Sequence, residues 1–201
     1  MTRFFYAGQV LGLTLGMSGL GASGALGQAI LPTVNGTGTQ VIINGNQFDI
    51  QGGALSVDQL NLFHQFQQFG LSEGQIANFL ANPNLRNIVT QVVGGDPSII
   101  NGLLQVTGGN PNFYLLNPSG IVFGANAQLN LPASFAATTA TGMQFGDRWL
   151  HAAGSNDYSA LLGDPTAFSF GNAVSGAIVN AGNLTVGTGS FLDDTATTVI
   201  Y

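Results

Sequence analysis

The ionisable side chains are few enough to consider one by one. Acid–base chemistry would have to come from His64 and His151, from Arg86 and Arg148, or from Asp49, Asp58, Glu73, Asp96, Asp147, Asp157 and Asp164. Glycosidic hydrolysis needs two facing carboxylates. A polysaccharide lyase needs a basic residue to take a proton, usually beside carboxylates that hold calcium or charge. Here the carboxylates are scattered, mostly beside turns where Asp is expected anyway. The only closely spaced pair is Asp193-Asp194. His64 sits among Phe residues far from His151, so it reads as a core histidine and not as a ligand or base. Cys is absent, which removes disulfides, thiolate zinc sites and a Cys nucleophile. The glycine-rich turns carry no Lys and precede no clear helix, so they are not phosphate loops. The Asn-x-Thr triplets at Asn35 and Asn183 are chance matches in an Asn- and Thr-rich chain. The expectation is a protein without catalytic, cofactor-binding or metal residues.

The residues that remain are corner formers and strand formers. Charged residues make up 6% of the 201-residue chain, against roughly 25% in ordinary domains. The basic residues are Arg3, Arg86 and Arg148, and the net charge is −6. This argues against nucleic acid and anionic membrane surfaces as partners, because both require clustered Lys and Arg. Gly contributes 30 residues and Phe 14, with 45% hydrophobic residues overall. Many glycines between short β-branched and aromatic runs indicate many short strands joined by tight turns, and not a disordered chain.

The chain is organised around residues 113–131, FYLLNPSGIVFGANAQLNL. Residues 113–116, 121–123 and 127–131 read as strands. The corner between the first two is Asn117-Pro118-Ser119-Gly120. Pro118 presets φ, Asn117 can bond its own backbone two residues on, and Gly120 accepts whatever angle the exit needs. Strand, corner, strand, corner is how a β-solenoid winds. Residues 82–85 form a second such corner, Asn82-Pro83-Asn84-Leu85, followed by a strand at 88–93.

Residues 1–29 read as a secretory signal peptide. Arg3 is the positive region, residues 10–26 the apolar region, and Gly27 and Ala29 the small residues at the cleavage site, with Ser23-Gly24-Ala25 as a second candidate. The apolar run is interrupted by Gly and Ser and lacks a basic stop-transfer flank, so it is not expected to remain as a membrane span.

Residues 39–43, 47–50 and 54–57 are strand candidates, and Asn44-Gly45 is a hairpin signal requiring two positive φ angles. A meander of this kind would cap one solenoid end, where open strand edges need cover. Residues 59–71 fit a helix or a strand about equally well. Residues 72–80 carry an N-cap signature at Ser72 and predict one or two helical turns. Further strands are expected at 99–106, 166–170, 177–180 and 184–186. The small, Thr-rich residues 133–141 suit tight stacking. Residues 142–165 read as an irregular excursion loop, with Trp149 anchoring its flank. Segments starting at Asn44, Asn126 and Asn180 share a loose Asn-led pattern, consistent with left-handed corner residues and with amide ladders between coils.

The two corners, in this order behind a signal peptide, resemble the paired NPNL and NPNGI motifs of the two-partner-secretion (TPS) domain, the N-terminal part of filamentous haemagglutinin-like exoproteins. Further matches are LFHQFQQFGL from Leu62, GGDPSIINGLLQVTGG from Gly94 and NPSGIVFGANAQLNLPASFAATTA from Asn117. The sequence looks most like cyanobacterial members over residues 30–192. Ser119 replaces the Asn of the second motif, a mild change inside a turn. The resemblance implies an all-β, right-handed, single-stranded parallel β-helix of the pectin-lyase type with an N-terminal antiparallel cap, spanning residues 30–201. It implies a secretion-directing domain of an adhesin-like exoprotein. Such a domain is exported through the periplasm, recognised by the POTRA domains of a TpsB-type outer-membrane barrel, and folds at the cell surface. An adhesin's ligand would be a host or cell-surface carbohydrate or protein. The motif residues are Asn82, Pro83, Asn84 and Leu85 with Asn117, Pro118, Ser119, Gly120 and Ile121. They act either as turn formers needed for folding or as direct contacts for the transporter. Enzymes that degrade pectin also use parallel β-helices, and a surface or matrix protein acting by self-association would share the scaffold, so fold does not decide between these readings. Family members continue for many more coils. Here Asp193-Asp194 breaks the apolar pattern, and the expectation is a domain cut short soon after Leu192.

Overall fold

In a computed structural model the chain winds a parallel β-helix. The structure describes residues 30–171, 175–186, 192–195 and 199–200. The expected signal peptide, with Gly27 and Ala29, lies outside the described residues.

The cap comes first: β1 (Ile30–Pro32), β2 (Thr39–Asn44), β3 (Gln47–Gly52) and β4 (Ala54–Leu55). The first coil has β5 (Asn61–Phe69) and β6 (Ile76–Leu80), with Leu71 bridging to the coil above. The second has β7 (Asn87–Val92), β8 (Ser98–Ile100) and β9 (Leu103–Thr107). The third has β10 (Asn112–Leu116), β11 (Ile121–Phe123) and β12 (Gln128–Asn130). β13 (Phe135–Thr138) opens the fourth, which is then interrupted by an excursion: β14 (Gly142–Phe145), β15 (Arg148–His151), a 3-10 turn at Tyr158–Ala160 and β16 (Pro165–Ser169). β17 (Ile178–Asn180) resumes the coil, and β18 (Leu192–Thr195) and β19 (Val199–Ile200) begin the next.

Three sheets run along the helix. Sheet A has the order β1-β5-β7-β10-β13-β18 with β4 beside β5, sheet B the order β2-β3-β6-β9-β12, and sheet C the order β8-β11-β17-β19. Strands of successive coils pair in parallel. β1, β2 and β4 pair antiparallel, which makes the N-terminal end the expected antiparallel cap.

Alternation along each strand decides what goes inside. Phe66, Phe79, Phe113 and Phe135 point inward and are buried. Their rings follow one another along the axis, Phe79 to Phe113 at 4.7 Å and Phe113 to Phe135 at 6.1 Å. Edge-on and tilted stacking of this kind adds attraction beyond area burial.

The structure corrects several expectations. Residues 72–80 form no helix. Ser72 closes a turn with Gln75, whose backbone N–H donates to the Ser72 carbonyl at 3.1 Å, and β6 follows. β6 lies between β3 and β9, and its alternating Ala77 and Phe79 enter the core, so ladder and burial override helical spacing. Within the open segment 59–71, Asn61–Phe69 is a strand for the same reason. The single strand expected at 99–106 is broken at Asn101-Gly102, because the coil must turn from sheet C to sheet B. The hairpin turn is Gly45-Asn46, one residue later than Asn44-Gly45. Asn44 pairs with Gln47, and of the turn residues only Gly45 has positive φ, 61°. A single left-handed position at the first turn residue suffices, and Asn44 stays in the ladder, donating to Asp49 at 3.0 Å. Residues 184–186 form no strand, although Leu184 is buried in the core. Left-handed Asn is confined to Asn35 among the described residues. The backbone of β18 runs through Asp193 and Asp194 in register with Ala136 and Ala137.

The largest correction is the excursion. It is an antiparallel sheet of order β15-β14-β16. Its inner face packs Met143, Phe145 and Leu150 onto Phe63, Val89 and Leu116 of sheet A as a second apolar core. Trp149 belongs to the other face. It is half-buried opposite Gln144, and Leu150 takes the anchoring role expected of Trp149.

Candidate functional site: two Asn-Pro corners

The first corner joins β6 to β7 and so turns the chain from sheet B to sheet A. The Asn84 backbone N–H donates to Asn82 Oδ1 at 2.9 Å, and the Leu85 N–H donates to the Asn82 carbonyl at 3.1 Å. An Asx turn is thus nested in a β-turn, with Pro83 at the position that favours its φ. Asn82, Pro83 and Asn84 are exposed, whereas Leu85 is buried in the main core.

The second corner repeats the geometry at a different edge, from β10 in sheet A to β11 in sheet C. The Ser119 N–H donates to Asn117 Oδ1 at 3.0 Å, and the Gly120 N–H donates to the Asn117 carbonyl at 3.1 Å. Gly120 has φ +121°, a conformation that side chains oppose. Asn117 is fully buried, in contrast to Asn82. Its Nδ2 donates to the Asp96 carbonyl at 3.0 Å and to Ser98 Oγ at 2.9 Å in the coil below. From the coil above, the Gly176 N–H donates to the Pro118 carbonyl at 2.7 Å. Ile121 continues into β11 and is buried.

The sequence placed these two corners in one signature, but the structure does not bring them together. They lie on different edges and in different coils. Pro118 and Ser119 instead line a cleft of about 410 Å³ with Val92, Gly95, His151 and Ala152, where the excursion leaves the helix. Asp96 and Ser98 are the partners that sequence reasoning missed. Only their spacing of about one coil from Asn117 could have pointed to them.

Amide ladders are present, within strands and not at corners. On the outer face of sheet A, Asn87 Nδ2 donates to Asn61 Oδ1 at 2.8 Å, and Asn112 Nδ2 donates to Asn87 Oδ1 at 3.1 Å. On sheet B, Asn78 Nδ2 donates to Asp49 Oδ1 at 2.8 Å, Gln105 Nε2 to Asn78 Oδ1 at 3.3 Å and Asn130 Nδ2 to Gln105 Oε1 at 3.0 Å. Both ladders donate toward the cap. Asp49, an acceptor only, ends the second, and the amides of Asn78, Gln47 and Asn44 hold its carboxyl below the usual range.

His64 is buried inside the first coil, as expected of a core histidine. Its Nδ1 lies 3.0 Å from Thr39 Oγ1 of the cap, while Nε2 has no partner. Burial pushes its pKa from 6.5 down to about 4. Among the described residues no three His, Asp or Glu side chains gather to hold a metal. No described helix is long and apolar enough to cross a membrane.

No curated protein matches the chain. Among solved structures, the chain is similar to the HMW1 secretion domain from Haemophilus influenzae, with a TM-score of 0.58 and 23% identity, over 86% of this chain. The match spans 42% of that chain. This likeness supports the parallel β-helix. The family model described as the TPS secretion domain matches residues 29–198, both Asn-Pro corners included. The chain therefore belongs to the TPS secretion domain family.

Proposed function

We propose that this chain is the secretion-directing domain of an adhesin-like exoprotein, with residues 1–29 as its removable leader and residues 30–201 as the exported domain. A TPS domain directs secretion and pairs with a TpsB transporter; the family is a secretion family and not an enzyme family. In this reading the POTRA domains of that outer-membrane barrel bind the chain in the periplasm before its fold is complete. The chain then crosses the barrel and folds at the cell surface from the cap onward. The observation that carries the reading is the antiparallel cap at the N-terminal end. Antiparallel strands close the N-terminal end of the helix, while every later coil pairs in parallel on the one before it. A helix built this way grows from its cap.

The two corners divide the roles considered for them. Exposed Asn82, Pro83 and Asn84 form a surface that a transporter can read, and buried Asn117 serves the fold. β2 offers the strand edge. It is the terminal strand of sheet B, carries no charge or Pro, and leaves Ile42 and Ile43 exposed. Native edges are normally protected by such residues, so β2 suits strand addition to a POTRA sheet.

Secretion in cells with and without the partner barrel tests the proposal. Deleting every barrel of this class should abolish export. Export that persists would instead favour a self-associating surface or matrix protein. Asn82→Ala should lose secretion while refolding normally; joint loss would return that corner to a folding role.

A further inference from the structure

The excursion is inserted in the fourth coil, yet its contacts run back toward the cap. The Leu161 and Gly163 carbonyls accept from Asn61 Nδ2 in the first coil at 2.9 and 2.8 Å. Asp164 Oδ1 accepts from Asn87 Nδ2 in the second coil at 3.0 Å, and Asp164 Oδ2 pairs with Arg86 at 3.2 Å. The Ser159 carbonyl accepts from the Val57 N–H beside β4 at 2.9 Å. Beneath these bonds, Phe63, Val89 and Leu116 point outward from three successive strands of sheet A and are buried by the excursion.

This outer face differs from that of sheet B at the same coils, which carries Asp49, Asn78, Gln105 and Asn130. β7 is buried along its whole length, as a two-sided strand must be. The first three coils thus carry apolar residues on a face whose cover comes later in the chain. Neighbouring coils bond across 26 and 25 residues, whereas the Asn61–Leu161 bond spans 100. Loop-closure entropy rises with span, so the coil contacts form first and the cover last.

We propose that residues 142–169 are a clasp that closes last and locks the three coils before it. Until it docks, the outer face of sheet A is open. Once it docks, cap, coils and excursion hold or open as one unit. The proposal concerns the fold itself and stands whether or not the transporter reading does.

Native-state hydrogen exchange on the whole chain tests it. Leu150→Ala weakens the docked face of the clasp. The expected result is that amides of β5 and β7 exchange faster by about tenfold or more, by the same factor as those of β14 and β15. Acceleration confined to residues 142–169, with β5 and β7 unchanged, would overturn the proposal. If Leu150→Ala does not fold, Asp164→Asn, at an exposed side chain, gives the same comparison at a smaller factor, about twofold to fivefold.

Discussion

His64 enters the first coil with one ring nitrogen satisfied by Thr39 and the other without a partner. Its cost depends on pH. The folded pKa is about 4 and the unfolded value 6.5, so between these the unfolded chain binds the proton and the folded chain does not. The contribution of His64 to stability is therefore complete above pH 6.5, falls as pH drops through this window, and levels off below about 4. The loss should approach roughly 3 kcal/mol, read from denaturant unfolding at a series of pH values, and His64→Gln should remove this slope. The same scale separates the two corner asparagines. Asn117→Ala removes bonds to Asp96 and Ser98 from a fully buried site, and should cost about 2–3 kcal/mol by chemical denaturation. Asn82→Ala loses an exposed Asx turn, and should cost about 1 kcal/mol or less.

At the scale of elements, strands are held in register by amides that bond up and down the stack. Asn87 is the middle rung on sheet A, bonded to Asn61, Asn112 and Asp164. Asn87→Ala leaves Asn61 Oδ1 and Asn112 Nδ2 without this partner, at a cost of about 2–4 kcal/mol. Asn87→Asp should be worse, since it places a second carboxylate against Asp164 and replaces donors with acceptors. Comparing unfolding midpoints of the two variants tests this ranking. The ladders were legible in outline, because Asn recurs through the chain. Their position was not, because corner and strand both use Asn and only the coil register distinguishes them.

At the scale of the molecule, two apolar cores share sheet A, one inside the helix and one beneath the excursion. Shared strands couple them. The chain has 1 Trp, Trp149, which lies in the excursion. Its fluorescence reports the excursion, while far-UV circular dichroism is dominated by the helix. The two denaturation curves should coincide in one transition. A fluorescence transition well before the circular-dichroism one would show that the excursion and the helix open separately.

Local chemistry let the sequence by itself determine the strand rhythm, the cap hairpin to within one residue, and both Asn-Pro corners. Asx turns, proline φ and left-handed glycine are decided within four residues, so they can be read without neighbours. Only the tertiary structure decided that residues 76–80 are a strand, that Asn117 is buried while Asn82 is exposed, and that residues 142–169 form a sheet lying back over the first coils. Each of these depends on a partner about one coil or more away in sequence. Phe79 is drawn into the core by Phe113, Asn117 is held by Asp96 and Ser98, and Leu150 is covered only because Phe63 and Val89 point outward beneath it. Burial and pairing across coils then outweigh the local preferences of each segment.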